Sequence, residues 1–150
     1  MQNKVVIITG ASSGIGKALV YEFAKRGAKI AMGARNLDEL QKIETDLKSR
    51  GIDALSVQTD VTRELDCKNL VEKTVERFGK IDVLVNNAGR THFVQHSDLD
   101  GMKSEYFDDI FALNVKGTFF MCRAAADALK KSHGVIINIT SIAGVTGLGS

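Results

Sequence analysis

The sequence predicts an α/β domain built on a doubly wound parallel sheet. Short, continuously apolar runs alternate strictly with longer segments of helical periodicity. Apolar strands alternating with helices mark a parallel sheet covered by helices on both faces. No repeat, linker or low-complexity segment interrupts the pattern, and there is no proline in the chain.

Lys4-Val5-Val6-Ile7-Ile8-Thr9 is the first such run. A helix is expected from Gly14 to Arg26, with Ile15, Ala18, Leu19 and Phe23 at helical spacing and Gly27 stopping it. Lys29 to Ala34 reads as the second strand, and Leu37 to Arg50 as a charged amphipathic helix closed by Gly51. Ala54 to Gln58 is the third strand. A helix capped by Thr62 is expected to run to Phe78 and end at Gly79, before a fourth strand from Ile81 to Val85. After a loop from Arg90 to about Gly101, one long helical stretch covers Ser104 to Ser132, and Val135 to Ile139 is the fifth strand. Crossovers are expected to be right-handed, and for a doubly wound sheet the first expectation is the strand order 3-2-1-4-5.

Composition excludes several classes. Hydrophobic residues make up 44% and charged residues 25%, ordinary for a soluble globular chain. A net charge of +2, with both signs interspersed, offers no nucleic-acid or anionic-membrane surface. No apolar run is long enough for a signal peptide or membrane span, so a cytoplasmic location is expected. Cys67 and Cys122 lie in separate helices without a CxxC pattern and read as idle or buried thiols. No metal site is expected.

Chemistry-bearing residues gather at the strand ends: Gly10 after the first, Arg35 after the second, Asp60 after the third, Asn87 to Gly89 after the fourth and Ser141 after the fifth. In an open α/β sheet the ligand binds outside the carboxyl ends of the strands. The convergence of five distant loops on one edge outweighs any single motif.

Thr9-Gly10-Ala11-Ser12-Ser13-Gly14-Ile15-Gly16 places its glycines as GxxxGxG. Glycines permit a tight turn and close approach of backbone to a pyrophosphate, while the following helix presents free N–H groups. Ser12 and Ser13 add hydroxyl donors. At the end of the second strand, an acidic residue would bind the ribose 2′-hydroxyl of NAD and an arginine would accommodate a 2′-phosphate. The acid's position holds Ala34, and Arg35 follows it, which favours NADP(H) over NAD(H). The competing reading leaves Arg35 a solvated charge and gives the selection to Asp38. Asp60 either accepts from an adenine amino group or caps the next helix. Asn86-Asn87-Ala88-Gly89 pins the fourth strand's end and lets a flat ring approach closely.

TGASSGIG, the Asp60-Val61 pair, NNAG, Asn114 in the long helix and the NITSIAG strand end together resemble the short-chain dehydrogenase/reductase family, in register over the whole chain. The resemblance implies a Rossmann-type NAD(P)-binding domain, here residues 1–150, that moves a hydride between NADP(H) and a carbonyl or alcohol. It implies Ser141 as the catalytic serine on the substrate oxygen, Asn114 as the holder of a proton-relay water, and Asn87 as a cofactor contact. Asn87, Gly10, Ser12, Ser13, Gly14, Ile15, Gly16, Arg35, Asp60, Val61, Ala88 and Gly89 form the expected cofactor set. It also implies a homodimer or homotetramer acting on a small molecule.

Reducing a ketone needs a proton donor near neutral pH. In the family this is a tyrosine followed four residues later by lysine, and it is expected just beyond Ser150. The chain's two tyrosines are Tyr21 and Tyr106. Tyr21-Glu22-Phe23-Ala24-Lys25 fits the spacing, but its helix runs away from the cofactor edge. Tyr106 has Ile110 where the lysine would stand. His92 and His96 sit in the loop after the fourth strand, where a place near substrate competes with the favoured reading as solvated loop residues. By this reading the 150 residues are incomplete relative to the family and inactive alone. The alternative is a non-catalytic dinucleotide-binding module that ends at Ser150.

Overall fold

The computed structural model describes residues 1–146. Five strands, β1 (Val5–Thr9), β2 (Lys29–Ala34), β3 (Ala54–Gln58), β4 (Val83–Asn86) and β5 (Val135–Asn138), form one sheet in the order β3-β2-β1-β4-β5. Every neighbouring pair is parallel. The class, the order and each strand agree with the sequence reading to within a residue or two.

Alternation along the strands divides the interior into two layers. Val6, Ile8, Ile30, Met32, Val83 and Val85 face helices α1 (Gly14–Lys25) and α2 (Leu37–Ser49). Ile7, Ala31 and Leu84 face α3 (Glu64–Phe78) and α5 (Thr118–Ser132). Because every second residue of β1 feeds a different layer, the strand has to be apolar throughout, and all five of its residues are buried. Gly33 serves the second layer by its lack of a side chain. A Cβ there would stand 2.6 Å from Leu70 Cδ2.

Four local expectations need correction. The core face of α1 is centred on Gly16, Val20 and Ala24, with the expected Leu19 and Phe23 packed beside it, while Ile15 and Ala18 are exposed. Ile15 is 62% exposed, because it faces the clefts at the strand ends rather than the sheet. Thr62 does not cap α3. Its N–H and hydroxyl both donate to Asp60 Oδ1, at 3.0 and 2.8 Å, so Thr62 is held in a turn and the helix starts at Glu64. The fourth strand begins at Val83, since the Asp82 carboxylate turns back to accept from the Val5 N–H at 2.9 Å. The long helix is not uniform: α4 (Ser104–Ile110) leads through a π-helical segment, Phe111–Gly117, into α5.

The β5 side is open. Val135, Ile136 and Ile137 are 53, 41 and 38% exposed. Phe107, Phe111, Val115 and Phe119, recurring every four residues from α4 through the π-helical segment into α5, are all exposed. A short helix, α6 (Ala143–Thr146), follows β5 and was not anticipated. No helix among the described residues is long and apolar enough to cross a membrane.

Candidate functional site

Two adjoining clefts lie along the carboxyl ends of the strands. The first, about 770 Å³, is walled by Gly10 and Ser12–Ile15 from the loop after β1, and by Ala34 and Arg35 after β2. Asp60 and Val61 after β3, and Asn87–Gly89 after β4, close it. All the expected cofactor residues except Gly16 line this one cleft. Gly16 is buried beneath it, where a Cβ would stand 2.3 Å from the Gly10 carbonyl oxygen and 2.5 Å from Asn87 Nδ2. Its contribution is close packing that holds the loop's shape.

The loop is fixed from three sides. Gly10 has φ +64°, which glycine adopts without cost. The Ala11 N–H donates to the Gly33 carbonyl at 3.3 Å, tying the loop to β2. Asn87 Nδ2 donates to the carbonyls of Thr9 and Gly10 at 3.0 and 3.3 Å. Thr9 Oγ1 accepts from the N–H groups of Asn87 and Ala88, both at 3.0 Å. Sequence reasoning gives Thr9 no role of its own. A polar residue ending an apolar strand was its only signal.

The N-terminus of α1 is left free. Ser13, its N-cap, makes no side-chain capping bond, and the first turn holds no acidic residue. By contrast α2 is capped by Asn36 Oδ1, which accepts from the Glu39 N–H at 3.2 Å, and carries Asp38 and Glu39 in its first turn. The unpartnered N–H groups and positive dipole end of α1 therefore face the cleft, the environment an anionic phosphate needs.

Arg35 is exposed at the cleft wall, and its guanidinium enters no ion pair among the described residues. Asp38 does not line the cleft. Asp60 does. Burial alone would raise its carboxyl, but hydrogen bonds from Thr62 and the charges of Arg35 and Arg63 hold it below the usual carboxylate range. Asp60 is thus engaged in the turn before α3 while still facing the cleft.

The second cleft, about 660 Å³, shares Ile15 and Asn87–Gly89 with the first and adds Arg90, Ile110, Asn114, Thr118 and Ser141. β4 and β5 are fastened at its floor, where Asn86 Nδ2 donates to Asn138 Oδ1 at 2.9 Å. Ser141 is exposed, and its Oγ accepts from the Ala143 N–H at 3.2 Å. Asn114 is already occupied on both ends of its amide. Its Oδ1 accepts from the Arg90 N–H at 3.1 Å and its Nδ2 donates to the Arg90 carbonyl at 2.9 Å.

One loop residue is placed differently from expectation, and the rejected tyrosine lies away from both clefts. His92 is not a solvated loop residue. Its ring stacks on Tyr106 at 4.1 Å between centroids, and its Nε2 lies 3.3 Å from Asp109 Oδ2. Tyr21 packs against the α1–α2 layer under the Arg50 guanidinium, on neither cleft. Burial and the neighbouring Asp46 carboxylate raise its phenol above the ordinary value, the reverse of what a proton donor near neutral pH requires.

Comparison with known proteins identifies the family. A family model described as short chain dehydrogenase matches residues 4–150. An uncharacterized oxidoreductase of Thermotoga maritima is 42% identical over 148 residues, covering 98% of this chain and 57% of its own. A 3-oxoacyl-[acyl-carrier-protein] reductase of Staphylococcus epidermidis is 34% identical over 147 residues, covering 97% of this chain and 59% of its own. The X-ray structure of an alcohol dehydrogenase from Thermococcus sibiricus, complexed with 5-hydroxy-NADP, superposes with a TM-score of 0.86 at 35% identity. That match covers 92% of this chain and 58% of the archaeal one. The chain thus spans somewhat under three-fifths of the length of these relatives. With the motifs, the strand order and the matched residues in agreement, the chain belongs to the short-chain dehydrogenase family.

Proposed function

We propose that this chain is the cofactor-binding part of an NADP(H)-dependent oxidoreductase that interconverts a carbonyl and an alcohol. The observation that carries the NADP preference is Arg35. Its guanidinium, in no ion pair among the described residues, stands at the wall of the first cleft, directly after Ala34, where an NAD-selecting carboxylate would be. The archaeal neighbour, whose structure holds 5-hydroxy-NADP, supports the same preference.

In this reading the glycine loop and the open end of α1 hold the pyrophosphate, Arg35 holds the 2′-phosphate, Asp60 faces the adenine, and Asn87 to Gly89 wall the nicotinamide side. Bound NADPH supplies the hydride. Ser141 orients the carbonyl oxygen, and Asn114 keeps the Gly89–Arg90 segment in place beside it. Neither Tyr21 nor Tyr106 serves as proton donor, so we assign that role to a tyrosine with its lysine following residue 150 in the whole protein. The exposed Phe107, Phe111, Val115 and Phe119 support assembly as a homodimer or homotetramer, and a cytoplasmic location is the accompanying expectation.

The test is calorimetric titration with NADP+ and NAD+, followed by NADPH oxidation assays on a panel of ketones and aldehydes with the whole protein. Tighter binding of NADP+ by about 10-fold or more is expected, from a charge-assisted bidentate contact. Turnover is expected to fall in Ser141→Ala. Equal affinity for the two cofactors would reject the NADP assignment. Turnover unaffected by Ser141→Ala would reject the role of that serine.

A further inference from the structure

Of the described residues that line the second cleft, Arg90 alone carries a charge. The rest are small, apolar or neutral polar residues. Arg90 is also held in an unusual way. Asn114 grips its backbone on both sides, and Asp109 Oδ2 accepts from its Nη2 at 2.6 Å.

These two grips come from residues five apart on one helix. In a regular α-helix each residue advances about 100°, so residues five apart point about 140° away from one another. The π-helical segment begins at Phe111, and its i→i+5 bonding puts an additional residue in the turn. Five residues then complete little more than one turn, which brings Asp109 and Asn114 to the same face. The helical irregularity thus lets a single helix hold both ends of Arg90. His92 Nε2 also approaches Asp109 Oδ2, at 3.3 Å, and the His92 ring is stacked on Tyr106.

The charges around Arg90 are Asp109 and, when protonated, His92. Asp109 takes one N–H of the guanidinium, and no other side-chain partner of Arg90 occurs among the described residues. Its remaining donors are free, and its side chain is 38% exposed. A guanidinium already immobilised by one carboxylate has lost its rotational freedom before a ligand arrives, so a second planar carboxylate meets a preset pair of donors.

We propose that Arg90 determines substrate specificity, selecting carbonyl substrates that carry a carboxylate, with Asp109 as the positioning residue for its guanidinium. This rests on the reductase reading above and adds the chemical class of the substrate. It assigns a role to the π-helical turn that the cofactor site does not require.

The test compares two ketone probes of similar size, acetoacetate and its neutral ethyl ester, by calorimetric titration of the NADP+-saturated whole protein. The quantity read is the ratio of the two affinities, which is insensitive to a general loss of folding. The unsubstituted protein is expected to prefer acetoacetate by about 10-fold or more, as a charge-assisted contact gives. Arg90→Gln is expected to lower that ratio about 10-fold, and Arg90→Lys to lower it less. A ratio unchanged by Arg90→Gln, with both probes weakened alike, would mean that Arg90 only supports the loop, and the proposal falls. It falls equally if the unsubstituted protein prefers the ester or binds neither probe. If NADP+ itself fails to bind, the reductase reading fails; the ratio measured without cofactor then still decides the role of Arg90.

Discussion

Thr9 and Asn87, 78 residues apart, are joined by two hydrogen bonds across the ends of adjacent strands. The Asn87 N–H donates to Thr9 Oγ1 at 3.0 Å, and Asn87 Nδ2 donates to the Thr9 carbonyl at 3.0 Å. The glycine loop and the NNAG turn are thereby tied to one another at the strand ends. Thr9→Val keeps the shape but leaves the Asn87 and Ala88 N–H groups without an acceptor. A stability loss of about 2–3 kcal/mol is expected in urea unfolding, from unsatisfied donors, together with weaker NADPH binding. Thr9→Ser should restore most of both.

Gly14 and Gly16 are expected to tolerate alanine very differently, although both belong to one motif. Gly14 has φ +52°, and nothing lies within 4 Å of where a methyl group would stand, so Gly14→Ala bears only conformational strain of about 1 kcal/mol. Gly16→Ala would drive a methyl into the Gly10 carbonyl and Asn87. About 3 kcal/mol is expected for such overpacking, with loss of cofactor binding. Urea unfolding and NADPH fluorescence titration of the two variants separate the cases.

Replacement of Arg35 should remove the preference between cofactors more than it weakens binding in general. Arg35→Ala is expected to weaken NADP+ binding about 10-fold or more and to leave NAD+ binding nearly unchanged, measured by calorimetry. Equal losses for both cofactors would place Arg35 outside the 2′-phosphate site.

Asp82 should make stability depend on acid pH. Burial alone would raise its carboxyl, but Lys4, the Val5 N–H and Lys80 pull it down to about 2. Its folded value therefore lies below the unfolded value of about 3.9. A carboxylate depressed in this way stabilises the fold fully above its unfolded value, and the contribution is lost as pH falls from about 4 through about 2. The loss expected is on the order of 2 kcal/mol. Urea midpoints measured across that range should flatten in Asp82→Asn, which also starts from a lower stability.

Cys67 should resist alkylation. It is fully buried in α3, and burial, with the nearby acidic side chains of Asp66 and Asp60, pushes its thiol up to about 12. Iodoacetamide at pH 8 is expected to leave it unmodified in the folded protein and to label it after unfolding, read by mass spectrometry.

The sequence by itself determined the sheet, its strand order and the gathering of the motifs at one edge. Strand periodicity and helix stops are local properties, and parallel topology leaves few ways to connect them. Residues such as Arg35 and Asn87 were legible because their place at a strand end already fixes their side of the sheet. Tertiary structure alone decided what touches what beyond that. Thr9 became the acceptor for the NNAG turn, Gly16 went beneath the cleft instead of into it, and Asp60 was drawn into a turn with Thr62. The grip of Asp109 and Asn114 on Arg90 was the least legible. A π-helical turn leaves no periodicity in sequence, because it changes which residues share a face without changing their hydrophobic character. Such pairings depend on fractions of a turn and on contacts across many residues, which one-dimensional spacing does not encode.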